Sequence, residues 1–238
     1  MSPLFTYNGK LLVVDGKLAA NQNCCCGCVC SCTDLLFLID TTGSMEGQLE
    51  AFSAAMVIVV EKFNSPTCRW GVASYKDFED GGPYANGWLV SSNFTNNVEA
   101  AQAAINSLFP RGGGDLEEQN LAALSNAATQ WQSIGGRATT DTCGSGSNTI
   151  RRAIVWAGDV PGHTNGAKGF PYPTVNATIL ALKEAKIKVI ALGNGLGGQA
   201  AAITAATNGV FLQNDGTNSS QILDAICLAL VGQTYTET

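Results

Sequence analysis

Between residues 34 and 231, short apolar runs alternate with longer stretches in which apolar residues recur at three- and four-residue steps, and no other feature narrows the possible folds as far. The run Asp34-Leu35-Leu36-Phe37-Leu38-Ile39 is continuous, as expected of a strand covered on both faces, and it ends at Asp40. Met45, Leu49, Phe52, Met56, Val59 and Phe63 then follow at the spacing of one helical face. Further strand-like runs lie at Trp70–Tyr75, Trp88–Val90, Ala153–Trp156, Val189–Leu192 and Val210–Leu212. Helical stretches lie at Asn97–Leu108, Leu116–Trp131, Thr174–Lys186, Gln199–Thr207 and Ser220–Val231. The expected fold class is α/β, a doubly wound and mostly parallel central sheet with helices on both faces. Ligands of such sheets bind beyond the carboxyl ends of the strands.

Two smaller units precede this one. In residues 1–23, Asn8-Gly9-Lys10-Leu11 is echoed by Asp15-Gly16-Lys17-Leu18. Asn-Gly and Asp-Gly suit a type I′ turn, which needs positive φ at both central positions, so a small β-meander is expected. Twenty residues bury too little surface to fold alone, and the arm is expected to dock on its own domain or on a neighbouring subunit. Residues 24–33 form a cysteine-rich linker, and residues 34–238 the main domain.

Composition excludes some functions. Charged residues make up 13%, against a usual ~25%, and 13 Lys+Arg against 19 Asp+Glu give a net charge of −6. A nucleic-acid partner, which calls for clustered Lys and Arg, is not expected. No apolar stretch approaches the ~20 residues that span a bilayer, so no transmembrane helix is expected. The first twenty residues lack a basic start followed by an apolar run, so no secretory signal is expected there.

The chemistry concentrates at Asp40-Thr41-Thr42-Gly43-Ser44. Asp40, Thr42 and Ser44 place one carboxylate and two hydroxyls at alternate positions of a loop entering a helix, so their oxygens can converge. Hard oxygen donors suit Mg²⁺, Mn²⁺ or Ca²⁺ and not zinc. A second acidic loop, Gly112-Gly113-Gly114-Asp115, precedes another helix, and Asp159 follows the strand-like run Ala153–Trp156. Three carboxylates some ~4–5 Å apart repel pairwise by roughly 3–4 kcal/mol at an effective dielectric near 20, which one divalent cation would resolve. Each piece also has a plainer reading. Thr42 and Ser44 can cap the first helix, and Asp115 with Glu118 fits a capping box.

From Asp34 to about Val231 the chain resembles a von Willebrand factor type A domain, a Rossmann-like fold. Asp40-Thr41-Thr42-Gly43-Ser44-Met45 is similar to that family's metal-ion-dependent adhesion site, D-x-S/T-x-S, and Trp70-Gly71-Val72-Ala73-Ser74-Tyr75 with Asp77 matches its second strand. The resemblance implies that Asp40, Thr42, Ser44 and Asp159 gather around one divalent cation, whose open position takes a carboxylate from a protein partner. It also implies adhesion or assembly and no catalysis. Many members present a threonine from the second loop where this chain has Asp115; it resembles instead the branch with a Gly-Gly-Gly-Asp loop, with Glu117 in place of that branch's proline. Direct ligation by Asp115 would tighten metal retention and weaken the pull on an anionic ligand. Glu117, Glu118 and His163 are candidates for the ligand face.

Competing signals are weaker. Gly193-Asn194-Gly195-Leu196-Gly197-Gly198 fits G-x-G-x-x-G after a strand, with Asp215 some twenty residues on, but too little chain follows to complete a dinucleotide-binding unit. His163 is the one histidine, and no G-x-S-x-G elbow accompanies it, so serine-hydrolase chemistry is not expected. Asn93, Asn176 and Asn218 head N-x-S/T sequons that carry meaning only on a secretory route. Six of nine cysteines, Cys24, Cys25, Cys26, Cys28, Cys30 and Cys32, crowd into nine residues, leaving Cys68, Cys143 and Cys227 apart. The tract admits disulfides within or between subunits, a second, thiolate-bound metal, or lipid attachment. The opening of the chain also resembles small proteins encoded in bacteriophage tail regions, which implies a virion or extracellular surface; a cytoplasmic scaffold or chaperone subunit is the alternative.

Overall fold

The computed structural model describes residues 6–7, 10–11, 13–14, 17–18, 32–63, 65–114, 117–143, 149–213 and 219–231. Near the N-terminus, β1 (Thr6–Tyr7) pairs antiparallel with β2 (Lys10–Leu11), and β3 (Val13–Val14) with β4 (Lys17–Leu18). The two pairs bracket Asn8-Gly9 and Asp15-Gly16 in sequence.

The main sheet has six strands: β5 (Thr33–Asp40), β6 (Cys68–Tyr75), β7 (Leu89–Thr95), β8 (Arg151–Ala157), β9 (Ile187–Leu192) and β10 (Val210–Leu212). Their spatial order is β10-β9-β8-β5-β6-β7, all parallel except the antiparallel edge strand β7. Among the described residues, six α-helices connect or flank them: α1 (Leu49–Lys62), α2 (Val98–Asn106), α3 (Asn120–Thr129), α4 (Val175–Glu184), α5 (Gly197–Ala206) and α6 (Ser219–Val231).

The continuous apolar run in β5 has a direct cause. Successive side chains of a strand point to opposite faces, and here both faces are covered. Leu35, Phe37 and Ile39 join α1, α2 and α6 in one core, through Phe52, Met56, Ile105, Ile222 and Ile226. Leu36 and Leu38 join α3, α4 and α5 in the other, with Trp156, Leu121, Leu182 and Ile203. Strand β7 extends beyond its predicted three residues: Ser91, Ser92 and Asn93 carry weak strand propensity, but Ser92 pairs with Val72 and Thr95 with Trp70 along this sheet edge. Among the described residues no helix is long and apolar enough to cross a membrane.

The chain runs outward from β5 through β6 to β7, returns, and runs outward the other way from β8 through β9 to β10. The carboxyl ends of β5 and β8, side by side, therefore send their loops in opposite directions. That divergence opens a crevice at the switch point of the sheet. Asp40 stands at the end of one of these strands and Asp159 just past the end of the other.

Candidate metal centre

Four of the oxygen-bearing residues expected from the sequence meet in this crevice. Thr42 donates its backbone N–H (2.8 Å) and its hydroxyl (2.7 Å) to Asp40 Oδ1. Thr42 Oγ1 lies 3.1 Å from Ser44 Oγ, and the Ser44 hydroxyl donates to Asp159 Oδ1 at 3.2 Å. Asp40 Oδ1, Thr42 Oγ1, Ser44 Oγ and Asp159 Oδ1 thus form a chain of oxygens at roughly the ~3 Å spacing that separates adjacent ligands in an octahedron with Mg–O bonds of about 2.0–2.1 Å.

Asp40 is fully buried, and its Oδ2 has no hydrogen-bond partner in the structure. Burial, reinforced by the charge of Asp159 and opposed by the hydrogen bonds from Thr42, raises its carboxyl to about 7. A buried carboxylate oxygen without a donor is costly, and a cation among these oxygens would compensate it. The donor set of carboxylates and hydroxyls fits a hard divalent ion. Among the described residues, no three His, Cys, Asp or Glu side chains form a metal-binding group, so the hydroxyls of Thr42 and Ser44 are integral to that fit. Asp115 lies outside the described residues.

The capping alternatives fare poorly. Thr42 precedes the short 3-10 turn Gly43–Met45 without making a side-chain cap. Helix α3 opens at Asn120, four residues later than the sequence suggests, and Gln119 makes no side-chain cap, so Glu118 precedes the helix and does not lie in its first turn.

A layer of residues that sequence reasoning undervalued fixes the loops. The Lys76 ammonium donates to the carbonyls of Thr41 and Arg111. Gly43 N–H donates to Gly112 O at 2.9 Å, and Arg111 N–H to Thr41 O at 3.0 Å. Asp80 accepts the Gly113 N–H through both oxygens (3.2 and 3.1 Å), and Asp77 accepts the Gly114 N–H at 3.3 Å. Gly112 and Gly113 have φ of 77° and 87°, and a Cβ on Gly112 would sit 2.0 Å from Asp80 Oδ1, so the glycines permit both the turn and the close approach. The signal available in the sequence was the charge run Lys76-Asp77-Phe78-Glu79-Asp80 at the carboxyl end of the second strand.

The three ligand-face candidates separate. Glu117 is exposed, with a side-chain exposure of 55%, and its Oε2 lies 3.1 Å from His163 Nδ1. Glu118 and His163, in contrast, are each only 2% exposed and sit below the rim. Burial, followed by the charges of Asp40 and Asp77, raises the Glu118 carboxyl to about 9. His163 donates its backbone N–H to Glu118 O (2.9 Å), places Nε2 3.6 Å from Asp77 Oδ1, and packs its ring 4.6 Å from that of Tyr172. It is a buried tie between the second and third loops, and neither a ligand-facing nor a solvated loop residue.

The Gly193–Gly198 segment also has a structural role. A Cβ on Gly193 would lie 1.8 Å from the carbonyl oxygen of Gly158, and one on Gly195 would lie 1.5 Å from that of Asp159. The glycines let the β9–α5 loop press against the loop carrying Asp159. The backbone approach that a dinucleotide motif reserves for pyrophosphate is here made to protein.

At the opposite, amino end of the sheet, Cys32 forms a disulfide with Cys143, with a Cα–Cα distance of 5.5 Å. Cys143 therefore does not stand apart from the tract, and Cys32 is not available as a metal thiolate. Cys24, Cys25, Cys26, Cys28 and Cys30 lie outside the described residues.

No family model and no curated protein matches this sequence. Among solved structures, the chain is similar to proximal thread matrix protein 1 from the mussel byssus, with a TM-score of 0.62 over 83% of this chain at 15% identity. The match covers 47% of that protein, so this chain spans about half of its length. At that identity the likeness is one of fold. The six-stranded, mostly parallel sheet with helices on both faces is consistent with the Rossmann-like von Willebrand factor type A architecture.

Proposed function

We propose that this chain is a metal-dependent protein-binding module in which Asp40, Thr42, Ser44 and Asp159, joined by Asp115 as the sequence resemblance implies, hold one divalent cation, Mg²⁺, Mn²⁺ or Ca²⁺. The bound ion supplies a Lewis-acidic position that accepts a carboxylate of a partner protein. The chain's own residues do the rest: Lys76, Asp77 and Asp80 fix the loops, and Asp40 stays shielded from water. The role is adhesion or assembly, not catalysis. The observation that carries this reading is the fully buried Asp40 Oδ2 with no hydrogen-bond partner.

A setting outside the reducing cytosol is favoured by the Cys32–Cys143 disulfide, since such bonds persist in oxidising compartments. The fold likeness to a protein of the mussel byssus is compatible with a structural or adhesive component. Attachment to a larger assembly, a phage tail among the candidates, would run through the N-terminal arm.

The test is a thermal melt of wild type and Asp40→Asn in EDTA, then with Mg²⁺, Mn²⁺ or Ca²⁺ restored. An ion that binds the native state raises the melting temperature. The reading predicts a rise in wild type alone. Equal shifts in both proteins, or none in wild type, would contradict it.

A further inference from the structure

The surface around the crevice carries information about the partner that the metal alone does not. Phe109 is 68% exposed, the most exposed large apolar side chain among the described residues, with Leu180 at 58% and Ile58 at 38% lying on helices α4 and α1. It is two residues from Arg111, whose N–H bonds the Thr41 carbonyl, and three from Gly112, whose carbonyl bonds Gly43. Two or three residues of chain span at most ~7–11 Å. An exposed aromatic ring therefore lies within a short reach of the crevice rim, on the loop whose backbone bonds Thr41 and Gly43.

That rim is acidic. Glu46 lies two residues beyond Ser44 and is exposed. Asp80 is exposed and bonded to Gly113, and Glu117 is exposed beside His163. Glu79 is matched by Lys168 at 2.9 Å, and Arg111, on the same loop as Phe109, is exposed. A partner bringing several carboxylates would gain one bond to the ion and meet repulsion from its surroundings. A partner whose single carboxylate is flanked by basic side chains would meet attraction at each.

From this juxtaposition of an apolar ring, an acidic rim and the crevice, we infer that the partner is a protein segment with one Asp or Glu flanked by Lys or Arg and by an apolar side chain, the last packing on Phe109. The inference rests on the proposed metal-dependent reading and adds the specificity of the same site.

Immobilised peptides of equal length, each with one central Asp, test it in Mn²⁺ by surface binding. One has Lys and Leu flanks, a second Glu and Leu, a third Lys and Ser, and an Asn-for-Asp version of the first is the control. The Lys–Leu peptide is expected to bind in Mn²⁺, to lose binding in EDTA or with Asn, and to exceed the Glu–Leu peptide by roughly tenfold or more. Phe109→Ser should bring the Lys–Leu peptide down to the Lys–Ser level, and the double charge reversal Glu46→Lys with Glu117→Lys should invert the order of the Lys–Leu and Glu–Leu peptides. Manganese-dependent binding that ignores the flanks and Phe109 would overturn this inference while leaving the metal-dependent reading intact. Binding of no peptide, or binding indifferent to EDTA and Asn, would overturn both.

Discussion

Strand β5 carries one aspartate near its amino end and another at its carboxyl end, and the two have opposite surroundings. Asp34, at the amino end, is fully buried and accepts the Arg137 backbone N–H at 2.6 Å and its Nε at 2.8 Å, with Nη2 at 2.6 Å. The same guanidinium donates to Thr67 O at 2.9 Å and to Cys143 Sγ at 3.3 Å, and the disulfide to Cys32 lies beside it. Asp40, at the carboxyl end, is equally buried, yet half of its carboxylate has no donor. One end of the strand is closed by the protein itself; at the other, one oxygen of Asp40 is left without a hydrogen-bond donor. A buried carboxylate is thus no sign of function on its own, and the informative quantity is the partner it lacks.

The largest test of this contrast is to break the closed end. Arg137→Ala should leave Asp34 buried without its guanidinium partner and cost about 3–5 kcal/mol, with or without a divalent cation, as read by urea denaturation. Asp40→Asn should leave metal-free stability unchanged or raised, because it removes a charge that lacks compensation. A similar loss in both variants would erase the distinction.

The disulfide sharpens the same comparison. It closes a separation of 111 residues, and removing a native disulfide typically costs about 2–5 kcal/mol. Cys143→Ser should therefore lower the denaturation midpoint by that amount while leaving the metal-induced increment in melting temperature unchanged, since the crevice lies at the other end of the sheet.

A pH titration of the metal-free chain separates the two ends further. The Asp40 carboxyl is raised to about 7 and that of Glu118 to about 9, whereas unfolded Asp and Glu titrate near ~4. At these two sites the native state holds protons the unfolded chain has lost, so their contribution to stability is fully present below about pH 4 and is lost as pH rises through 7 to 9. A cation competes with those protons. Saturating Mn²⁺ should reduce the fall, and apparent metal affinity should rise across the same interval, by calorimetric titration. A metal-free stability that increases from pH 4 to 8 would contradict the assignment.

The smallest expected effect concerns His163. Replacing it with Ala removes the tie between the second and third loops and should weaken Mn²⁺ binding by roughly tenfold, about 1.4 kcal/mol. Gln, which keeps two polar ends, should recover part of it. Equal metal affinity in wild type and the Ala variant would leave His163 with a packing role alone.

Much of this was legible in the sequence because the physics is local. A run such as Leu35–Ile39 can be buried only between two layers, and Asp40, Thr42 and Ser44 converge because a short loop joins a strand to a helical turn. The remainder depends on residues far apart in the chain. Nothing in the spacing of Cys32 and Cys143 announces their bond across 111 residues. Nothing in the spacing of Lys76, Asp77 and Asp80 shows that the carbonyl of Arg111 and the amides of Gly113 and Gly114, more than thirty residues on, bond to them. Glu118 and His163, polar residues in loop sequence, are covered because the loops at the switch point pack on one another.

Anomalous diffraction from crystals of the full chain grown with Mn²⁺ tests the central claim most directly. The account predicts a manganese peak at about 2–2.5 Å from oxygens of the Asp40–Ser44 loop, with Asp159 directly or through water beside it. A protein with strong diffraction, ordered loops and no anomalous density in the crevice at millimolar Mn²⁺ would contradict it.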